Sequence, residues 1–311
     1  MNKIVCIVGP TASGKSSLAV DVALKFSGEI ISCDSMQLYK NMDIGTAKIT
    51  AEEARGVPHH LTDVFDIDTV FSVSEYVKLA GKCVEDIESR GRVPVFCGGT
   101  GLYIDSFVSG LEFGEYENLP EYRAYLEEYA KENGEEALHE MLRKADPEAA
   151  EKTDPHNVKR VIRALEVYKS SGEPISVWNK RAADSAVKKD TLMIGLTFRD
   201  REKLYERINA RVDIMVKNGL VEETERLIRS GLRETVTASQ AIGYKELYPY
   251  IDGFASLEEC VERLKINSRR YAKRQMTWFS RNGDIKWFYR DETDDELLKA
   301  SVFRTVEEYL A

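Results

Sequence analysis

Short apolar runs of strand length alternate with longer amphipathic stretches along the 311 residues of the chain. The first run, KIVCIV from Lys3 to Val8, leads through GPTASGK into Ser16-Ser17-Leu18-Ala19-Val20, with Leu24 on a compatible helical face, so the pattern predicts strand, loop, helix. A second run, Glu29-Ile30-Ile31-Ser32-Cys33, stops at Asp34, and a third, Val93-Pro94-Val95-Phe96-Cys97, stops at Gly98-Gly99-Thr100-Gly101. Between these two, 72–90 has the length and apolar spacing of a crossover helix. Strands that each end in polar residues or a glycine turn predict an α/β fold with a parallel sheet, its loops gathered along one edge around a ligand.

The pattern changes after residue 111. From Glu112 to Glu151 there are thirteen acidic and four basic residues, with Leu119, Tyr122, Leu126 and Tyr129 at helix-like intervals. Asp154-Pro155 is a break, because proline restricts the residue before it, and Asn157 to Ser171 then reads as a basic amphipathic helix closed by Gly172-Glu173-Pro174. Thr191 to Leu196 resumes the strand pattern. The predicted organisation is a first core segment at 1–111, an inserted all-helical lobe at 112–190 and a second core segment at 191–311. Within that last segment 201–219, 221–230 and 239–248 are helical by spacing. Residues 256–281 predict one long helix that carries Leu257, Val261 and Leu264 toward the core and Lys265, Arg269 and Lys273 on another face. Val302, Val306 and Leu310 suit a docked terminal helix.

Composition adds limits to this picture. With 43% hydrophobic residues, eight prolines and 20 glycines the chain can form a substantial core, which excludes wholesale disorder. No apolar span reaches 18 residues, and the apolar opening runs into a glycine loop instead of a cleavage site, so no membrane segment or export signal is predicted. Five scattered cysteines without a CxxC unit fit a reducing compartment, with the cytoplasm as the expected location. The balance of 44 Lys plus Arg against 53 Asp plus Glu gives a charge of -9, which disfavours a uniformly basic nucleic-acid binder. Residues 263–281, however, hold seven Lys or Arg and no Asp or Glu, so a local basic surface remains available to RNA.

The sharpest motif is Gly9-Pro10-Thr11-Ala12-Ser13-Gly14-Lys15-Ser16, a GxxxxGKS loop between a predicted strand and helix. Small residues let backbone N–H groups turn toward phosphate oxygens, Lys15 supplies a flexible positive charge, and Ser16 can bond phosphate or assist magnesium. This cradle alone does not distinguish an ATPase, a kinase and a transferase with a diphosphate leaving group. Asp34 is either a metal-assisting acid or a group facing an acceptor; as a strand-to-helix cap it would be ordinary. Gly98-Gly99-Thr100-Gly101 allows close ligand approach, or is simply a helix-start turn. His59-His60 lacks a completing ligand set and reads as structural or as hydrogen bonding to substrate; Trp278-Phe279 reads as core packing.

In order along the chain, GPTASGKS (9–16), DSMQLY (34–39), DIGTAK (43–48), HHLTD (59–63), GGTGLY (98–103), VKRVIRALEVY (158–168), QAIGYKE (240–246) and KRQMTWF (273–279) resemble the signatures of the tRNA dimethylallyltransferases, or tRNA isopentenyltransferases. The set spans Gly9 to Phe279, and the absence of a Cys-rich zinc finger makes the chain similar to the compact bacterial form. This resemblance implies a core like that of the P-loop nucleoside-triphosphate hydrolases, an inserted lobe set against the tRNA anticodon stem-loop, and a flipped target adenine. It implies transfer of the dimethylallyl group from dimethylallyl diphosphate to N6 of adenine 37 in tRNAs reading codons that begin with U, with Mg2+ as cofactor, by a monomer. In members of the family Asp34 would accept the N6 proton, Thr100 would orient the base, and Lys15 would neutralise diphosphate within the 9–16 loop, helped by Arg207 or Arg211. Ser16 would hold magnesium. Contacts to tRNA would come from Asp34, Ser35, Met36, Gln37 and Thr100, and from Arg123, Lys159, Arg160 and Arg163 of the lobe. The Gln37 amide has the geometry to read adenine by paired hydrogen bonds. The basic helix at 263–281 would contact RNA or lock the core.

Two other function classes compete: a small-molecule or nucleotide kinase, whose phosphate transfer from ATP would be independent of RNA, and a nucleotide-controlled RNA-binding protein without group transfer.

Overall fold

The computed structural model describes residues 3–111 and 119–311. The chain divides into two compact units, one running up to Val108 and resuming at Lys189–Ala311, the other Ser109–Lys188. The first seven residues of the predicted lobe, 112–118, lie outside the described residues. The first unit holds β1 (Ile4–Val8), α1 (Lys15–Lys25), β2 (Gly28–Cys33), α2 (Ala51–Ala54), β3 (His59–His60), α3 (Val73–Ser89), β4 (Val93–Gly98) and α4 (Gly101–Val108). The second holds α5 (Pro120–Asn133), α6 (Glu135–Ala145), α7 (Pro147–Lys152), α8 (Val158–Ser171) and α9 (Ile175–Ser185). The chain then returns to the first unit for β5 (Thr191–Thr197), α10 (Arg201–Lys217), α11 (Leu220–Arg229), α12 (Tyr248–Ile251), α13 (Leu257–Phe279), β6 (Lys286–Tyr289) and α14 (Asp295–Leu310).

The six strands form one parallel sheet in the order β3-β2-β4-β1-β5-β6. β1 is central: Val5 lies opposite Val95 of β4 and Leu192 of β5. Ile4, Cys6 and Val8 face a cluster with Tyr76, Ala80, Ile104 and Phe107, while Val5 and Ile7 face Leu18 and Val22 of α1 and Val302 and Val306 of α14. Both faces are therefore apolar, which is why these strands read as continuous hydrophobic runs instead of alternating ones. Polar chemistry is left to the strand ends. The 9–16 loop follows β1, Asp34 follows β2 and Gly99-Thr100 follows β4, three neighbours in the sheet, so the three polar segments emerge side by side at its carboxyl edge.

Local signals set the helix limits. Ser72 and Glu75 form a capping box at the start of α3, and Ser256 and Glu259 form another at the start of α13. The predicted helix at 239–248 is replaced by two 3-10 turns, Ala238–Gln240 and Lys245–Leu247, with α12 beginning after them. Gly243 between them sits at φ 117 with its backbone against Gly45, a close approach that a continuous helix could not make. The short strands β3 and β6 carry too few residues for a period-two pattern to register.

In the second unit α5, α6 and α8 pack around Leu126, Leu138, Leu142, Val161 and Leu165. Glu166 is buried within it, its carboxylate gripped by Arg123 through Nε (3.1 Å) and a second guanidinium nitrogen.

Candidate active site

The loop after β1 is shaped to hold an anion. Ala12 (φ 63) and Gly14 (φ 88) are left-handed, so the chain curls before α1 begins at Lys15. The N–H groups of that first turn have no intrahelical partner, and the helix dipole adds positive potential at the same place. Residues from distant elements brace the loop. The Gln275 amide of α13 accepts the Thr11 N–H (2.9 Å) and donates to the Gly99 carbonyl (2.9 Å), tying the loop to the glycine turn after β4. From α10, Arg207 Nε donates to the Ala12 carbonyl (3.0 Å) and Arg211 donates to Thr11 Oγ1 (3.2 Å). Arg290, just past β6, lies over Gly14, where any Cβ would collide with its guanidinium, and it is oriented by Asp295 (2.5 Å).

Arg290 is paired with Asp295, whereas Lys15, Arg207 and Arg211 concentrate positive charge on carbonyl and hydroxyl oxygens of the loop. Lys15 donates to the Pro10 carbonyl (3.3 Å). Burial pushes its ammonium down from the ordinary lysine range and nearby Arg211 adds to that push, while Cys97 and Asp34 oppose it. Burial likewise pushes Arg211 down, against Asp34 and Glu53. Desolvated cations of this kind are costly until an anion arrives, so the loop is prepared for phosphate oxygens. Cys97, at the end of β4, is pushed up to about 11 by burial, with Lys15 and a hydrogen bond from Ser16 working against it.

Three adjoining cavities surround these groups. A cavity of about 420 Å³ is lined by Asp34, Ser35, Met36, Gln240, Tyr271 and Arg274 among others. A smaller one of about 70 Å³ is bounded by Lys15, Ser16, Asp34, Ile30, Ile49 and Cys97, and also by Gln37 and His59. A third, of about 800 Å³, opens on the outer side of the loop beside Lys15, Ser16, Lys48, Arg55, Arg207 and Arg211. Asp34, Thr46, Arg211 and Tyr271 belong to both of the first two cavities, and Lys15, Ser16 and Arg211 to both of the last two. Asp34 Oδ1 accepts the Met36 N–H (2.9 Å), which fixes the carboxylate at that junction. Thr100 Oγ1 accepts the Ser35 N–H (3.3 Å), and the Tyr271 hydroxyl is bonded to Thr100 and Gln275. Burial and the neighbouring Asp34 keep the Tyr271 phenol protonated.

The structure thus gathers the 9–16 loop, Asp34, Ser35, Met36, Thr100, Arg207 and Arg211 in one unit, with Arg207 and Arg211 both at the loop. Arg123, Lys159, Arg160 and Arg163 lie in the other unit. Lys159 and Arg160 are exposed in the first turn of α8, whereas Arg163 is half-buried and feels the Glu166 carboxylate. Two expectations change. The Gln37 amide is engaged inside the protein: Nε2 donates to the Thr46 (3.1 Å) and Ala47 (3.4 Å) carbonyls, and Oε1 accepts from Ser32 Oγ (3.1 Å). An amide committed at both ends is not placed to read adenine by paired bonds. Arg123 has its guanidinium fork on Glu166, because a buried carboxylate needs a cation, so its fork is not presented to RNA. Of the long basic helix, Lys265 is bound to Asp213 (2.8 Å) and Arg269 to Asn209 (2.6 Å), while Arg263, Arg270, Lys273 and Arg274 are exposed.

Sequence reasoning missed Tyr271, Gln275 and Arg290. A signal for Gln275 exists: it falls on the buried stripe Leu264, Ala272, Phe279 of α13, and an amide on an apolar stripe must bond something. Arg290 carries no comparable signal, since the strand that delivers it is only four residues long.

The model of the family described as IPP transferase matches residues 37–282. A tRNA dimethylallyltransferase of Thermoanaerobacter sp. is 51% identical over 304 residues, covering 97% of this chain and 96% of that one. One of Geobacillus thermodenitrificans is 51% identical over 300 residues, covering 96% and 94%. Among solved structures, the full-length tRNA isopentenylpyrophosphate transferase of Bacillus halodurans superposes with a TM-score of 0.74 at 44% identity, over 100% of this chain and 97% of that one. A eukaryotic dimethylallyltransferase acting on tRNA gives 0.80 at 31% identity, over 92% and 73%. A family match across most of the length, together with an anion loop, a junction carboxylate and adjoining cavities in the described fold, establishes that this chain belongs to the IPP transferase family, that of the tRNA dimethylallyltransferases.

Proposed function

We propose that the chain transfers the dimethylallyl group of dimethylallyl diphosphate to N6 of adenine 37 in tRNAs reading UNN codons, giving N6-dimethylallyladenosine and diphosphate. The observation that carries this reading is the position of Asp34 on the wall shared by the two cavities, with buried cations on one side and a purine-sized space on the other.

Diphosphate sits on the N–H groups at the start of α1, and Lys15, Arg207 and Arg211 neutralise the charge that develops as the allylic C–O bond breaks. Arg290 closes the Gly14 side of the loop with a further cation. The five-carbon group lies toward the small cavity between Ile30, Ile49 and Cys97. Adenine, extruded from the anticodon loop, enters the cavity of about 420 Å³ and presents N6 at Asp34. The N6 lone pair forms the new C–N bond, the C–O electrons leave with diphosphate, and Asp34 takes the N6 proton. Exocyclic adenine nitrogen is a weak nucleophile, so a carboxylate oriented by the Met36 N–H serves better as an acceptor for the proton than as a generator of a free anion. Thr100, bonded to the Ser35 N–H and to Tyr271, orients the base edge.

The Ser16 hydroxyl, a hard oxygen donor beside Lys15 on the small cavity, fits Mg2+. Among the described residues no three His, Cys, Asp or Glu side chains gather, so the cation would lean on Ser16, on water and on diphosphate oxygens, supplying further neutralisation of the leaving group. Ser35, Met36 and Thr100 meet the loop nucleotides, and Lys159, Arg160 and Arg163 meet anticodon-stem phosphates. All five cysteines are free thiols, which fits a reducing compartment such as the cytoplasm, and the chain is taken to act as a monomer. No helix among the described residues is long and apolar enough to cross a membrane.

The test is incubation of the purified chain with Mg2+, dimethylallyl diphosphate and unmodified tRNA, followed by nucleoside mass analysis. The expected product is adenosine heavier by one C5H8 unit, with none formed when ATP replaces the donor. Failure across a folded pool of UNN-reading tRNAs, or RNA-independent phosphate transfer from ATP, would overturn the reading.

A further inference from the structure

The wall between the cavities is built from a loop whose conformation depends on one buried carboxylate. Glu223 of α11 is 2% exposed and lines none of the three cavities. Its oxygens accept the backbone N–H groups of Asp43 (3.3 Å), Ile44 (3.0 Å) and Gly45 (3.0 Å), and the Tyr244 hydroxyl (2.8 Å). Three consecutive N–H groups converging on one anion form a nest, whose partial positive charges the carboxylate neutralises. From the opposite side the Gln37 amide donates to the carbonyls of Thr46 and Ala47. The N–H groups of Asp43, Ile44 and Gly45 thus point at Glu223 and the carbonyls of Thr46 and Ala47 at Gln37, so the loop is held at both ends.

Tyr244 extends the arrangement. Gly45 lies flat on the Tyr244 ring, where a Cβ would collide, and Gly243 packs on the Gly45 backbone. Gly45 and Thr46 form one rim of the cavity of about 420 Å³, and Gln240 to Gly243 form another. A single carboxylate therefore fastens both rims, one through three N–H groups and the other through the hydroxyl that ends the 240–244 segment.

We propose that Glu223 is a positioning residue that sets the width of the acceptor cavity by clamping loop 43–47 against segment 240–244. It touches no reacting atom. The proposal rests on the reading that this cavity, the one Asp34 lines beside Tyr271 and Arg274, receives the target adenine. The donor side is braced separately, by Gln275 and the arginines of α10, so Glu223 bears on RNA more than on diphosphate.

Glu223→Gln in the full chain keeps the shape but turns one acceptor into a donor facing other donors. Steady-state kinetics with an anticodon stem-loop RNA and the allylic donor, joined to amide hydrogen exchange, give the test. The RNA KM should rise about tenfold while the donor KM stays within about twofold. Exchange at Ile44 and Gly45 should accelerate while α1 and α13 remain protected, a localised signature that loss of global stability would not give. Tyr244→Phe, which removes one hydroxyl, should move both readouts in the same direction by less, and it carries the test where Glu223→Gln does not fold. An unchanged RNA KM beside accelerated loop exchange overturns the proposal, as does an equal rise in both KM values. A wild-type chain that leaves the RNA unmodified overturns the functional reading itself, and the role of Glu223 with it.

Discussion

The cations around the 9–16 loop of the first unit and the paired cations of the second unit's helices use positive charge in opposite ways. In the first, Lys15, Arg207 and Arg211 bond carbonyl and hydroxyl oxygens of the 9–16 loop, and burial works against the charge on Lys15 and Arg211. In the second, Arg123 is clamped on Glu166, and Lys131, Arg143 and Lys152 pair with Glu128, Glu140 and Glu148 about one turn away. A cation paired within the chain spends its charge on the fold. A cation desolvated against neutral oxygens weakens the fold and gains only when a ligand brings the anion. The difference separates the cations around the 9–16 loop from those that hold the helices of the second unit together, without reference to any motif.

Substitutions can break or sharpen this contrast, beginning with the largest effect. Lys15→Met should lower transfer by about 10²–10³ in single turnover, the scale for losing one preorganised charge at a leaving group. The same change should raise the thermal midpoint, because it removes a desolvated ammonium. With its folded pKa below the unfolded value, Lys15 penalises the folded state at neutral pH, and that penalty fades as pH rises toward the ordinary lysine range. The stability gain should therefore shrink in alkaline melts; a destabilised variant at neutral pH would contradict the contrast. Gln275→Ala strips partners from the Thr11 N–H and the Gly99 carbonyl, at a cost of about 1–3 kcal/mol in denaturant unfolding, and should raise the donor KM by loosening the loop.

Arg123→Met should have the opposite profile to Lys15→Met. Leaving Glu166 without its fork should destabilise the chain by about 1–3 kcal/mol, with nearby Arg163 still compensating the buried charge, while the donor KM does not move. Arg160→Gln, on the exposed start of α8, should be the mildest: no change in the melt, weaker tRNA binding, and a slope of log affinity against log salt shallower by about 1. An unchanged slope would remove Arg160 from the phosphate contacts.

Much of the first unit is legible in the sequence because its polar groups interrupt apolar runs. Gly9, Asp34 and Gly99 each follow the end of a strand, and parallel topology then brings these ends together. The terminal helix follows from Val302 and Val306, both fully buried. What escapes is decided by contacts remote in sequence. Gln37 looks like a base reader until the fold brings the Thr46 and Ala47 carbonyls to its amide. Segment 239–248 has helical spacing, yet Gly45 approaches Gly243 from the other end of the chain and the helix gives way. Arg123 and Glu166 are separated by two other helices, so their pairing is invisible, unlike the near pair of Lys152 and Glu148. Glu223 stands in an unremarkable acidic stretch, and only its three N–H partners show that it is buried for a reason.

The central claim is that Asp34 takes the proton at the junction of the two cavities. Its most direct test is single-turnover transfer by Asp34→Asn at saturating donor and RNA, with both affinities measured alongside. The substitution keeps the oxygen that accepts the Met36 N–H and removes only the basicity. The account predicts a rate lower by about 10²–10⁴ with donor and RNA affinities within about threefold of wild type. A variant that transfers the group at the wild-type rate would contradict it.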